Sequence, residues 1–139
     1  IYDGDNYTEN YYKDLLDANK NIIISSPAIS GQKVYELINM LKEKQASGVQ
    51  ITIVTWTPDS YGFGDAAYWM QLHEDMCKAG FYIKTVEESC ERFAVIDQEV
   101  VWYGNINLLA KTKVDDSIMR VLSNEIAGEL MEITFGDNS

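Results

Sequence analysis

The sequence predicts an α/β fold, a three-layer sandwich in which a mixed, mostly parallel sheet lies between helices on both of its faces. Apolar runs rich in β-branched residues alternate with segments of helical periodicity, which is the pattern of strands joined by helical crossovers. Such crossovers make neighbouring strands parallel. Turn-forming residues at Asp97–Glu99, between two short apolar segments, add an antiparallel hairpin. The 139 residues suffice for one such domain with its own core.

The first half of the chain alternates three helices with three strands. In the first helix, four apolar residues recur every three or four positions and so share one face, namely Tyr7, Tyr11, Leu15 and Ala18. The second helix stops at Gly48. The predicted elements are helix Tyr7–Asn19, strand Ile22–Ser26, helix Gln32–Ala46, strand Gln50–Trp56, a loop Thr57–Gly64, helix Ala66–Lys78 and strand Phe81–Val86.

The second half of the chain is richer in strands. Its predicted elements are a hairpin of Phe93–Ile96 and Val100–Tyr103, a strand Ser117–Leu122 and a last helix Glu125–Phe135. Asn124 is the predicted N-cap of that helix, because its side chain can accept a hydrogen bond from the first turn. Helical spacing places Ile126, Leu130 and Ile133 on the inward face.

Charge and composition exclude several classes of function. Twenty-two acidic against 11 basic residues give a net charge of -11, whereas tight nonspecific binding to nucleic acid needs a basic surface. No apolar run approaches the roughly 20 residues of a membrane span. Cys77 and Cys90 lack zinc-finger spacing. Two scattered thiols indicate a reducing, cytoplasmic compartment, with a single disulfide between them as the alternative.

We expect residues 1–139 to be a single domain excised from a longer protein. The chain starts at Ile1 with neither an initiator Met nor a signal peptide. It contains no repeat and no linker rich in Pro, Gly or Ser. Part of the function is therefore expected to lie in the parent protein.

The candidate functional residues lie in one stretch of the sequence, between Cys90 and Asn107. Cys90 precedes Arg92 by two positions, and Asp97 follows Arg92 by five. After six further residues come Gly104 and, three positions later, Asn107. This spacing resembles the signature of the phospholipase D and nuclease superfamily, His-x-Lys-x4-Asp-x6-Gly-Ser-x-Asn. The resemblance covers nearly the whole chain, since the order of helices and strands before the motif is also similar.

The amino-acid sequence of the motif is most similar to that of PLD-like domains attached to bacterial helicases and AAA ATPases. The similar segments are Phe93–Asp97 and Val101–Gly104. The resemblance implies a phosphodiesterase fold that uses neither metal nor cofactor. It also implies that two motifs face each other across a pseudo-two-fold axis. We therefore expect a homodimer or pairing with a second PLD-like domain, and contact with nucleic acid through the parent protein.

The chain departs from the signature at the residue that performs catalysis. Cys90 stands where the family has its nucleophilic histidine, and the only histidine, His73, lies in the third predicted helix. Arg92 replaces Lys but keeps its charge and can clamp phosphate in a bidentate manner. Asn105 replaces Ser, and Asn107 is unchanged.

The resemblance assigns a role to each remaining motif residue. Asp116 lies where the family often has a Glu that orients the histidine, whereas Asp97 and Gly104 are structural. The candidate phosphate ligands are Arg92, Asn105 and Asn107. The candidate catalytic positions are Cys90, Arg92, Asn107 and Asp116, and we expect them to converge at one edge of the sheet. No metal site is expected.

Two of these residues have alternative interpretations. Arg92 would favour a nucleophilic Cys90 thiolate, but Glu87, Glu88 and Glu91 oppose it and no base is adjacent. A small buried side chain is therefore the favoured interpretation of Cys90. Arg92 itself can either bind phosphate or form an ion pair with Glu91 or Asp116.

The sequence leaves three hypotheses for function. The favoured one is a degenerate PLD-like domain, a pseudoenzyme that acts as a phosphate-binding or dimerising module of a DNA-processing helicase or ATPase. The second is an active, metal-independent phosphodiesterase or nuclease that uses a shared site. The third is a pure protein-interaction domain that has kept the fold.

Overall fold

The computed structural model describes residues 1–57, 66–87 and 90–136. Helices and strands alternate along most of this length. The elements are β1 (Tyr2–Asp3), α1 (Thr8–Leu16), β2 (Asn21–Ser25), α2 (Gly31–Ala46), β3 (Gln50–Trp56), α3 (Ala66–Lys78), β4 (Tyr82–Val86), β5 (Phe93–Ile96), β6 (Val100–Gly104), β7 (Ser117–Leu122) and α4 (Asn124–Phe135).

The described strands form one mixed sheet in the order β1-β7-β6-β5-β2-β3-β4. β2, β3 and β4 are parallel to one another, because α2 and α3 carry the chain back between them. The other pairings of described strands are antiparallel. The expectation of a mostly parallel sheet is therefore wrong. From β5 onward the strands are joined by turns and loops rather than by helical crossovers, so each reverses direction.

Helices cover both faces of this sheet, which confirms the predicted three-layer sandwich. On the α1–α3 face, apolar residues of α1, α2 and α3 pack against Ile22, Ile24 and other alternate strand residues to form the larger core. On the α4 face, Ala127 and Leu130 pack on a smaller cluster that includes Val95 and Val101. Alternate residues of β2 and β5 thus serve different cores.

Most predicted elements are present within one or two residues of their expected bounds. The last helix departs from expectation in two ways. Ser123, not Asn124, is the N-cap, because the Ser123 hydroxyl accepts a hydrogen bond from the N–H of Ile126 at 3.0 Å. Ile126 and Ile133 do not face inward but are 40% and 68% exposed. The helix turns Ala127 and Leu130 to the sheet instead.

Two further comparisons with the prediction concern one end of the sheet and a loop. The short strand β1 was not predicted, because two residues are too few for a period to show. It pairs with β7 through Tyr2 and Ile118. The predicted loop Thr57–Gly64 lies, from residue 58 onward, outside the described residues.

Candidate functional site

Three strand ends meet at one edge of the sheet and place the motif there. Ser25 at the end of β2 pairs with Phe93 at the start of β5. Phe93 in turn pairs with Tyr103 near the end of β6. Arg92, which directly precedes β5, and Gly104, the last residue of β6, are therefore neighbours at the same edge.

Arg92 and Asn107 are in direct contact at this edge. Arg92 Nε donates a hydrogen bond of 3.0 Å to Asn107 Oδ1, and both side chains are partly buried. The N–H of Gly104 donates to the Arg92 carbonyl at 3.5 Å, across the hairpin. The bond to Asn107 uses one of the five guanidinium N–H donors and fixes the plane of the group.

The ion-pair alternative for Arg92 is not realised in the described part of the chain. Glu91 Oε1 accepts a hydrogen bond from the Tyr103 hydroxyl at 3.2 Å. Asp116 Oδ2 accepts one from the N–H of Lys113 at 3.0 Å. No carboxylate of the described residues forms a salt bridge with Arg92. The positive charge is thus held in place by a neutral amide.

Cys90 lies close by but faces a different environment. Its Sγ is 3.5 Å from Ser25 Oγ and 3.9 Å from the Val54 carbonyl oxygen. It packs against the cluster on the α4 face. Burial raises the pKa of the Cys90 thiol above its ordinary value, and this outweighs the lowering by the Ser25 hydrogen bond and the Arg92 charge. The thiol is therefore neutral near pH 7.

A small cavity opens beside the thiol. Its volume is about 170 Å³, which is room for several water molecules. It is lined by side chains of β2, β3, β4 and α4 together with the segment before β5, namely Ser25, Val54, Val86, Cys90, Glu91, Ile133 and Thr134. Its walls are mostly apolar, and among the described residues they bring no imidazole to Cys90.

Asn105, Asp116 and Gly104 shape the loop that follows β6. The Asn105 side-chain oxygen accepts a hydrogen bond from the N–H of Ser117 at 2.8 Å, and the backbone N–H of Asn105 donates to the Ser117 carbonyl at 3.0 Å. Asp116 closes a turn with Lys113 rather than contacting Cys90 or Arg92 through any described hydrogen bond. A Cβ at Gly104 would lie 2.2 Å from the Ser117 carbonyl oxygen. Only glycine allows this close approach.

Asp97 lies at the opposite end of β5 from Arg92. Its carboxylate accepts hydrogen bonds from the N–H groups of Asn19, Lys20 and Asn21, at 2.7 to 3.1 Å. Its backbone φ of 55° and that of Gln98, 58°, form the tight hairpin turn. Asp97 thus ties the hairpin to the start of β2.

Two serines at the end of β2 belong to the site and were missed from the sequence. The Ser25 hydroxyl donates to the Glu91 carbonyl at 2.6 Å and so holds the segment before Arg92. The buried Ser26 hydroxyl donates to the Ala28 carbonyl and accepts from the N–H of Leu109. The available signal was a pair of hydroxyl residues between a buried strand and Pro27, where polar side chains need nearby partners.

No other cluster of the described residues competes with this edge. The residues that the structure describes contain no group of three His, Cys, Asp or Glu side chains arranged to hold a metal. His73 lies in α3, and desolvation by burial lowers its pKa. Tyr7 and Tyr11 are buried in the larger core, so they do not form an exposed stacking surface.

Solved structures with the same fold share little sequence with the chain. NucT from Helicobacter pylori superposes with a TM-score of 0.64 at 10% identity, covering 91% of this chain and 84% of its own. The archaeal chromatin protein TrmBL2 gives 0.66 at 14% identity, covering 97% and 50%. Phosphatidylserine synthase from Haemophilus influenzae Rd KW20 gives 0.55 at 11% identity, covering 99% and 36%. The chain spans half of the second structure and about a third of the third, and these likenesses establish the fold alone.

The family comparison adds what the structures alone do not. Residues 11–134 match the family described as cardiolipin synthase, PLD-like domain. No curated protein matches the chain in sequence. In the described residues, no helix has the length and apolar character needed to cross a membrane. Because the match extends over most of the sheet and includes the whole segment from Cys90 to Asn107, the chain belongs to the PLD-like domain family of the phosphodiesterase and nuclease superfamily.

Proposed function

We propose that this chain is a degenerate PLD-like domain that binds phosphate groups but does not hydrolyse phosphodiesters by itself. The observation that carries the proposal is the pair Arg92 and Asn107, in which an amide orients a guanidinium that no described carboxylate neutralises. Guanidinium N–H groups match the geometry of phosphate oxygens. The remaining donors of Arg92 are the natural ligands for one phosphate.

Among the described residues, this edge offers no group that would activate a nucleophile at position 90. A nucleophile at position 90 would have to be a thiolate, yet burial raises the pKa of Cys90. The groups within hydrogen-bond distance of its sulfur, among the described residues, are one hydroxyl and two carbonyls. None of these is a general base that could activate the thiol. Asp116, which would orient a histidine, bonds to Lys113 instead.

We further propose that the domain is an accessory module of a DNA-processing helicase or ATPase. This proposal is supported by the amino-acid sequences of Phe93–Asp97 and Val101–Gly104, which most resemble those of PLD-like domains attached to such proteins. TrmBL2, which shares the fold, is described as binding DNA. A second copy or a second PLD-like domain would supply the other half of the site. The full reading frame tests this context, and a Gly-x4-Gly-Lys-Ser/Thr segment beside the domain is the expected finding.

Phosphate binding is tested by NMR titration of the chain with inorganic phosphate. We expect the Arg92 side-chain signal to shift with a Kd on the order of millimolar, because one charged ligand acts against a net charge of -11. Arg92→Gln should abolish the shifts around residues 92 and 107. Lys42→Gln, an exposed cation on α2, is the matched control and should change nothing. Equal loss in both variants would mean that phosphate responds only to overall charge.

The active-enzyme alternative is tested with bis-p-nitrophenyl phosphate and with DNA in the presence of EDTA. We expect no turnover by the purified chain. Turnover that Cys90→Ser abolishes would establish the phosphodiesterase alternative and overturn the proposal. If phosphate shifts are absent as well as turnover, the third hypothesis, a pure interaction domain, replaces it.

A further inference from the structure

The α4 face of the sheet is wider than the helix that covers it. Seven described strands spaced by about 4.8 Å span about 29 Å, whereas a helix with its side chains is about 10 Å across. Of the described helices only α4 packs on this face. Ala127 and Leu130 pack into the cluster that contains Val101, and β6 is the strand that α4 contacts most directly. The strands toward β7 are left beside it rather than beneath it.

This mismatch leaves an apolar groove between α4 and the strands β6 and β7. Its volume is about 380 Å³. On the sheet side it is lined by Tyr103, Met119 and Val121, and on the helix side by Ile126, Leu130 and Ile133. Three of these side chains are largely exposed, with Met119 at 44%, Ile126 at 40% and Ile133 at 68%. Their exposure leaves an apolar surface that the described residues do not cover.

The rim of the groove is acidic. Glu129 lines the groove itself, and Glu125, one helical turn before it, is exposed on the same helix. The sequence of α4 contains no Lys, Arg or His. A second copy of this chain placed symmetrically on the groove would bring two such sets of carboxylates together, which is unfavourable. An occupant that carries positive charge beside an apolar stripe would complement both features.

We propose that this groove docks an amphipathic helical segment of a partner protein, with an apolar stripe flanked by Lys or Arg. The groove follows α4 from Ile126 to Ile133, a rise of about 10 Å or two helical turns. That length fits apolar anchors at positions i, i+4 and i+7 of a docked helix. The flanking cations would face Glu125 and Glu129. This surface does not include Arg92 or Asn107, so the inference is independent of the proposed phosphate site.

The test uses two designed helical peptides that share one stripe of leucines. One peptide has Lys beside the stripe and the other has Glu at the same positions. Binding to the chain is followed by fluorescence anisotropy at low and at high salt. We expect the Lys peptide to bind at least about tenfold more tightly at low salt, and the preference to shrink as salt screens the rim. Equal affinity of the two peptides would overturn the proposal.

Exposed positions supply variants that should leave the fold intact. Ile133→Ser should weaken binding of the Lys peptide by about tenfold, since it removes an apolar anchor. Met70→Ser, at a residue 58% exposed on α3 and outside the groove, is the matched control and should have no effect. The pair Glu125→Gln and Glu129→Gln should reduce the preference for Lys over Glu. If Ile133→Ser and Met70→Ser behave alike, the groove is not the binding site.

The oligomeric state of the chain without a peptide provides a separate test. Light scattering coupled to gel filtration measures its mass with and without Ile133→Ser. A mass unchanged by this substitution agrees with the proposal, because a second copy seated on the groove would lose an apolar contact when Ile133 becomes Ser. A dimer that Ile133→Ser converts to monomer would show that a second copy occupies the groove and would overturn the inference.

Discussion

The two faces of the sheet differ in how completely their apolar residues are covered. On β7, Ile118 faces the α1–α3 core and is 1% exposed, whereas its neighbour Met119 faces the groove and is 44% exposed. On β6, Trp102 is fully buried and Tyr103 only partly so. Alternation along a strand therefore assigns each residue to a face, but the neighbouring layer decides whether that face is buried. The α1–α3 face provides stability, while the α4 face retains free apolar surface.

Truncating one leucine on each face should give the largest contrast. Leu41→Ala, at a fully buried residue of α2, should lower the free energy of unfolding by about 3–5 kcal/mol. Leu130→Ala on α4 should cost about 2 kcal/mol, because the open groove beside it lets neighbours relax into the space. Urea denaturation of both variants measures the difference. Equal losses would mean that the two faces are packed to the same degree.

Asp14 provides a polar test on the α1–α3 face. Its carboxylate accepts hydrogen bonds from Trp102 Nε1 at 2.8 Å and from two nitrogens of Arg120 at 2.6 and 3.1 Å. Asp14→Ala should cost about 2 kcal/mol, because it leaves the N–H of a buried tryptophan unpaired. Asp17→Ala, at an exposed residue just after α1, should change the unfolding free energy by less than about 0.5 kcal/mol. A small effect at both positions would show that Trp102 relies on packing alone.

Glycine-to-alanine substitutions should have opposite effects on stability in the α4 helix and in the turn after α2. A Cβ at Gly128, within α4, would meet no atom within 4 Å, so Gly128→Ala should stabilise the chain by about 0.5–1 kcal/mol. Gly48 also has free space around it, but its φ is +105°. Gly48→Ala should therefore cost about 1 kcal/mol. Thermal unfolding distinguishes the signs, and a loss at Gly128 would contradict the proposed exposure of that helix surface.

The smallest effect should be the titration of Cys90, which packs at the end of the α4 face. In a Cys77→Ser background, the pH of half-maximal alkylation should lie above that of free cysteine, because burial raises the pKa of the Cys90 thiol. Arg92→Gln should raise it further by removing a nearby positive charge. Stability linked to the neutral thiol is present below the unfolded pKa and is lost as the pH rises through the folded pKa. A midpoint at or below that of free cysteine would restore Cys90 as a nucleophile.

The sequence predicted the helices and strands better than it predicted the contacts of the motif residues. Period and turn residues locate strands and helices because those signals are local. The motif spacing places Arg92 just before and Asn107 just after the two strands of a hairpin, and the structure has them 3.0 Å apart at Nε and Oδ1. The predicted catalytic role of these residues, and of Cys90 and Asp116, stays a prediction.

What the sequence could not supply depends on contacts between distant segments. The excess of antiparallel pairing follows from the order of the strands in the sheet, which no local pattern encodes. The exposure of Ile126 and Ile133 follows from the way α4 is rotated on the sheet, with Ala127 and Leu130 buried in their place. Ser25 lies at the site because β2 pairs with β5. Its hydrogen bond to the Glu91 carbonyl joins residues that are 66 positions apart in the sequence.

The contacts of Asp97 have a consequence for the order of folding. Its carboxylate joins the β5–β6 turn to backbone N–H groups 76 to 78 residues earlier in the chain. Contacts of such separation form late, because the intervening chain must first be ordered. Arg92 and Asn107 sit at the far end of the same hairpin. The edge that holds Arg92 and Asn107 therefore forms late, and a nascent chain that still lacks β5 and β6 contains α1–α3 and the parallel strands β2–β4 but neither α4 nor any part of the motif.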